Sequence, residues 1–201
     1  MQKGIRTVAV LSAVLCFLGG CAGKEKALTA DTDTIILKEK GSIVGYITGE
    51  FDENRYSYEQ LQALMDSEIA SYCTQTAEEA VVLDKSELTE EGILTVVMTY
   101  RSAEDYSAFN QEIFFYGTIE EAVLAGYDLR TLTMRDASDA EITVGRTELE
   151  AMPDSYILIT EDSSNIRGYQ KIAYIGLNDT LVNEHEVDTD DGETMHYVIF
   201  K

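Results

Sequence analysis

Residues 94–100, Leu-Thr-Val-Val-Met-Thr-Tyr, repeat with a period of two. Successive side chains of an extended chain point to opposite sides, so Leu94, Val96, Met98 and Tyr100 share one face while Thr95, Val97 and Thr99 share the other. A segment of this kind is a half-buried strand, and a strand needs neighbours. Residues 34–38 and 43–48 supply a first pair, with Glu39-Lys40-Gly41-Ser42 between them as a hairpin turn. Further strands are expected at 112–116, 156–160, 171–175 and 196–200, each enriched in Ile, Val, Tyr or Phe.

Helical signals lie between these strands. Ser57 followed by Gln60 has the spacing of a capping box, and Leu61, Met65, Ile69, Tyr72 and Cys73 then recur at helical intervals. The longest helix is therefore expected near 57–74, with Leu61, Met65, Ile69 and Tyr72 packed on a sheet and Cys73 buried. Thr118 with Glu121 opens a second helix that ends at Gly126. Ser102 with Asp105 caps a turn through Tyr106 and Phe109, and Thr147 with Glu150 begins another that Pro153 stops. The fold class is α+β: a mainly antiparallel sheet with one long helix and several short helical turns.

The N-terminus carries a different message. Lys3 and Arg6 precede an eleven-residue apolar run at 8–18, which is followed by Gly19, Gly20 and Cys21. Such a run falls short of the roughly 20 residues that span a bilayer, and it has the length of a secretory signal core. Leu18-Gly19-Gly20-Cys21 resembles the lipobox of bacterial lipoproteins. The resemblance implies that the Cys21 thiol is diacylglycerylated, that the signal is cut before it, and that the new N-terminus is acylated, with palmitate-type chains. Two or more chains hold a protein stably on a membrane, whereas one holds it marginally. The expected organisation is a signal peptide at 1–20, a lipidated cysteine and tether at 21–32 reaching roughly 30–35 Å if extended, and one acidic domain at 33–201. Pro153 is the only proline, and no proline- or glycine-rich linker divides that domain.

The full chain has 37 acidic and 15 basic side chains and a formal net charge of −22. Loss of Lys3 and Arg6 with the signal makes the remainder two units more negative. So acidic a surface repels nucleic-acid phosphates and anionic headgroups, so nucleic acid is no partner and membrane attachment falls to the lipid. Of the three cysteines, Cys16 leaves with the signal and Cys21 takes the lipid. Cys73 alone remains, which rules out an internal disulfide.

Catalytic signatures are missing from the sequence: there is no Gly-x-Ser-x-Gly, His-Glu-x-x-His, phosphate-binding glycine loop or Cys-x-x-Cys. Of the two histidines, His185 lies within an acidic segment at 184–193 and His196 shortly after it. Within it, Asp188-Thr189-Asp190-Asp191-Gly192 begins like a calcium loop but has glycine fifth instead of sixth. The segment is expected to be a β-hairpin with Asp191-Gly192 at its tip and no metal. Twelve tyrosines and no tryptophan make up most of the aromatic content. They read as strand residues with an apolar body and a wet tip, a pairing that also serves carbohydrate or peptide faces.

The lipobox, the acidic tyrosine-bearing segment 58–72, the stretch VVMTYRSAEDYSAFN at 96–110 and the closing HYVIFK at 196–201 together resemble uncharacterised cell-surface lipoproteins of anaerobic, low-GC Gram-positive bacteria. The resemblance implies a lipid anchor on the outer face of the cell membrane and brings no activity with it. The expected function is a non-enzymatic interaction or accessory module with no cofactor, no catalytic residue and no metal ligand. Its expected partners are the membrane, through the N-terminal lipid, and an extracytoplasmic protein or cationic species. A small-ligand or cation-binding lipoprotein is the alternative, and a hydrolase comes third.

Overall fold

The hairpin expected from residue 34 onward forms. β1 (Thr34–Leu37) pairs antiparallel with β2 (Ile43–Glu50), and the turn closes through hydrogen bonds from Lys38 N to Ser42 O at 3.0 Å and from Gly41 N to Lys38 O at 2.9 Å. Gly41 takes φ +84°, a backbone state that favours glycine. The computed structural model describes residues 30–189 and 195–201. After the hairpin come α1 (Tyr58–Gln75), β3 (Val81–Leu88), β4 (Ile93–Tyr100), α2 (Ala103–Asn110), β5 (Phe114–Thr118) and α3 (Ile119–Leu124). The chain continues through β6 (Met134–Asp136), β7 (Thr143–Val144), α4 (Arg146–Glu150), β8 (Tyr156–Thr160), β9 (Asn165–Gly168) and β10 (Ile172–Gly176). It ends with β11 (Thr180–Asn183), β12 (Glu186–Asp188) and β13 (His196–Phe200).

The class is α+β, with the strands divided between two sheets where a single sheet was expected. One has the order β11-β12-β9-β1-β2-β4-β3 and the other β5-β8-β13-β10-β6-β7. Neighbours are antiparallel apart from β1 and β9, which run parallel. Helical residues are spread over more than one element: α1 has 18 residues, α2 eight, α3 six and α4 five.

Two apolar clusters explain the layers. Ile35, Leu37, Ile43, Val81 and Tyr100 of the first sheet meet Leu158, Ile172, Ile175, Val198 and Phe200 of the second. On the far side of the second sheet, Ile157, Ile159 and Ile199 pack with Ile119 and Ala122 of α3 and Leu149 of α4. β8 and β13 are therefore covered on both faces, which is why Ile157-Leu158-Ile159 and Val198-Ile199-Phe200 are continuous apolar runs without alternation.

α1 starts where expected, with Ser57 Oγ accepting from Gln60 N at 3.3 Å. Its predicted stripe does turn inward, but no residue of the helix is fully buried, because α1 packs on β3, the edge strand of its sheet. Cys73 is accordingly half-buried instead of buried, with its thiol 3.5 Å from Val81 O. A buried carboxylate fixes the helix in place. Asp105, in the first turn of α2, is 4% exposed. It accepts from Tyr72 Oη at 3.1 Å, from Arg101 Nε at 2.9 Å and from Ser102 Oγ at 3.2 Å. Its position also places negative charge at the helix N-terminus, where the peptide dipoles favour it. α4 begins earlier than the Thr147–Glu150 spacing predicts: Glu148 reaches back to Gly145 N at 3.0 Å, while Glu150 is taken by Arg146 at 2.6 Å.

Candidate functional site

α3 is a single capped segment. Thr118 Oγ1 accepts from Glu121 N at 3.1 Å and Glu121 Oε2 accepts from Thr118 N at 2.8 Å, so two otherwise unpaired donors are satisfied reciprocally. This geometry turns Ile119 and Ala122 onto the second sheet and leaves Val123 and Leu124 outward, the latter 80% exposed. Gly126, at φ +98°, ends the helix and lets the chain double back, with Tyr127 N bonded to Ala122 O at 3.0 Å. Glu120 N is held by Pro153 O at 3.0 Å, which ties α3 to the end of α4.

Between these elements lies a cleft of about 550 Å³ with an apolar lining of Ile119, Val123, Leu124, Tyr127, Leu129, Leu149 and Pro153. That volume falls in the range of ligand pockets, roughly 300–1,000 Å³. Its rim is charged. Arg130 clasps Asp128 through Nε at 2.8 Å and Nη2 at 2.7 Å, and the pairing holds the Asp128 carboxyl well below the usual carboxylate range. Arg146 pairs with Glu150, and Glu120 completes the rim. The cleft's described walls hold no histidine, cysteine, serine or threonine; the polar groups they present are the carboxylates of Glu120, Asp128 and Glu150, the Tyr127 phenol and two guanidinium groups.

The other chemically distinctive pair is buried. His196 Nδ1 lies 2.8 Å from Asp179 Oδ1, and the two residues are 1% and 2% exposed. Asp179 Oδ2 accepts from Gly176 N at 3.1 Å, and Arg135 Nη2 donates to the Asp179 carbonyl. Nε2 of His196 has no partner among the described residues. Thr160 stands opposite His196 in the strand register, but its hydroxyl accepts from Asp162 N at 3.0 Å. The pair thus joins the crossover after β10 to the first residue of β13, and neither member lines the cleft.

Several expectations change here. The hairpin expected over 184–193 is not formed. β12 pairs with β11 and β9 in the first sheet, and β13 pairs with β8 and β10 in the second, so the intervening segment joins two sheets. Its proposed tip, Asp191-Gly192, lies outside the described residues. The histidines are also separated. His185 bonds Gln170 O at 3.0 Å before β10, whereas His196 is tied to Asp179 after it. Among the described residues no group of three or more His, Cys, Asp or Glu side chains is placed to hold a metal ion. Cys21 and the lipobox lie outside the described residues as well. The cleft was not foreseen: the sequence showed a capped helix ending at Gly126, with Val123 and Leu124 adjacent, but not which side of it would face solvent.

No family model, no curated protein and no solved structure matches the chain.

Proposed function

We propose that the chain is a lipid-anchored lipoprotein on the outer face of the cell membrane, and that it acts as a non-enzymatic interaction module. In this reading the cleft between α3 and α4 receives an apolar anchor on a basic segment of an extracytoplasmic protein. The observation that carries the reading is the exposure of Val123 and Leu124 beside an apolar cleft, on a molecule whose net charge is −22. Apolar side chains gain by entering the cleft, and the negative field attracts a basic partner from a distance. The lipid anchor rests on Leu18-Gly19-Gly20-Cys21. No helix among the described residues is long and apolar enough to cross a membrane.

Two experiments test the reading separately. Cys21→Ser should move the protein from the membrane fraction to the medium or leave it as an uncleaved precursor, and mass spectrometry of the wild-type N-terminus should find a diacylglyceryl adduct on Cys21. A free thiol there, or a mature chain beginning elsewhere, would sink the anchor. For the cleft, a fluorescent amphipathic peptide of leucine and lysine should bind the full-length chain and lose about tenfold in affinity with Leu124→Asp, since one buried aliphatic side chain contributes about 1.5–3 kcal/mol. Unchanged affinity would reject the cleft as the docking site. Uptake of an uncharged apolar dye without peptide binding would favour the small-ligand alternative.

A further inference from the structure

The end of the molecule where β8 begins and β9 leads into β10 gathers aromatic rings from three separate parts of the chain. Tyr116 of β5 lies 5.4 Å from Tyr156 of β8, centroid to centroid, with ring planes tilted by 36°. Tyr169, in the connection from β9 to β10, stands close to the Tyr116 side chain, whose hydroxyl donates to the neighbouring Gln170 Oε1 at 3.5 Å. Phe200 packs edge-on against Tyr116 from below at 5.9 Å. The approach of Phe200 to the backbone is so close that a Cβ on Gly168 would sit 2.6 Å from Phe200 Cε1. Tyr116 is thus fixed from beneath, with burial pushing its hydroxyl above the usual phenol range. Tyr156 and Tyr169 remain 37% and 40% exposed.

Lys171 and Glu184, next in sequence to Gln170 and His185, are bonded to each other. His185, between Glu184 and the Gln170 carbonyl, is fixed by the same turn. A surface of ring faces, phenol hydroxyls and one side-chain amide offers stacking and hydrogen bonding. The complementary chemistry is a molecule with apolar C–H faces edged by hydroxyls. We infer that Tyr116, Tyr156 and Tyr169, with Gln170, form a recognition surface for a neutral saccharide, separate from the cleft between α3 and α4.

The test uses the full-length chain in a detergent without sugar headgroups, titrated calorimetrically with chitohexaose, cellohexaose and choline. Because the chain has no tryptophan, tyrosine emission follows the same titrations directly. At least one oligosaccharide should bind, and Tyr156→Ala and Tyr169→Ala should each weaken that binding by about tenfold. Tyr169→Phe, which keeps the ring and its packing, should cost less, and Leu124→Asp should have no effect. The inference is overturned if neither oligosaccharide binds at millimolar concentration, if both alanine variants bind within about twofold of wild type, or if choline binds instead. In that last case the rings serve a cation.

Discussion

Replacement of Asp179 by alanine is expected to lower the free energy of unfolding by about 2–5 kcal/mol. The carboxylate is 2% exposed and accepts from both His196 Nδ1 and Gly176 N. Its loss strands two buried donors, each costing about 1–3 kcal/mol when left unpaired. His196 then has neither ring nitrogen partnered, since Nε2 already lacks one among the described residues. Asp179→Asn should cost less because an amide oxygen can still accept one of the two bonds. Urea unfolding of the three proteins gives the comparison, and a loss below about 1 kcal/mol for the alanine variant would show that the pair does not hold the crossover between the sheets.

Phe200→Ala should cost about 3–5 kcal/mol, the usual range for removing a buried aromatic ring. Phe200 is 1% exposed and sits between the sheets, against Tyr116 on one side and the Gly168 backbone on the other. The same contact makes a second, linked result expected. Gly168→Ala should destabilise the wild type, because its new Cβ collides with the Phe200 ring, and should destabilise a Phe200→Leu background less. The two changes would then be non-additive, as substitutions in contact generally are. Additive effects would mean that the Phe200 ring does not lie over Gly168.

Much of the local structure was legible before the tertiary structure was considered. Ser57, Ser102 and Thr118 each cap the helix their spacing announces, and Gly41 and Gly126 occupy positive-φ positions at the ends of their elements. Each of those devices involves residues within four positions of one another, so the sequence contains the whole interaction. The strands 34–37, 43–50, 93–100, 156–160 and 196–200 were legible for the related reason that their side-chain pattern reports their burial. β6, β7, β9, β11 and β12 were not. Each is two to four residues long, as in Met134–Asp136 or Glu186–Asp188, too short to show a period and without the apolar run Ile35-Ile36-Leu37 that marks the equally short β1. β3 was hidden by its bulge between Leu83 and Lys85, which breaks the alternation at midpoint.

The sequence by itself determined the α+β class, the starts of α1, α2 and α3 and the acidic character of the chain, because composition, caps and periodicity are local quantities. The tertiary structure alone decided which elements meet. It divided the strands between two sheets through the parallel pairing of β1 with β9, residues more than a hundred positions apart. That division sent β12 and β13 to different sheets, although a short acidic stretch connecting them looked like a hairpin. It set α1 on an edge strand, so a stripe that read as core is only half-buried. It also brought Asp179 to His196, and Tyr116 to Tyr156 and Tyr169, across distances in sequence at which no spacing rule operates. The physical reason is common to all of these: burial of apolar surface is not directional, so an amphipathic segment specifies that it must be covered and leaves the choice of cover to the packing of the whole chain.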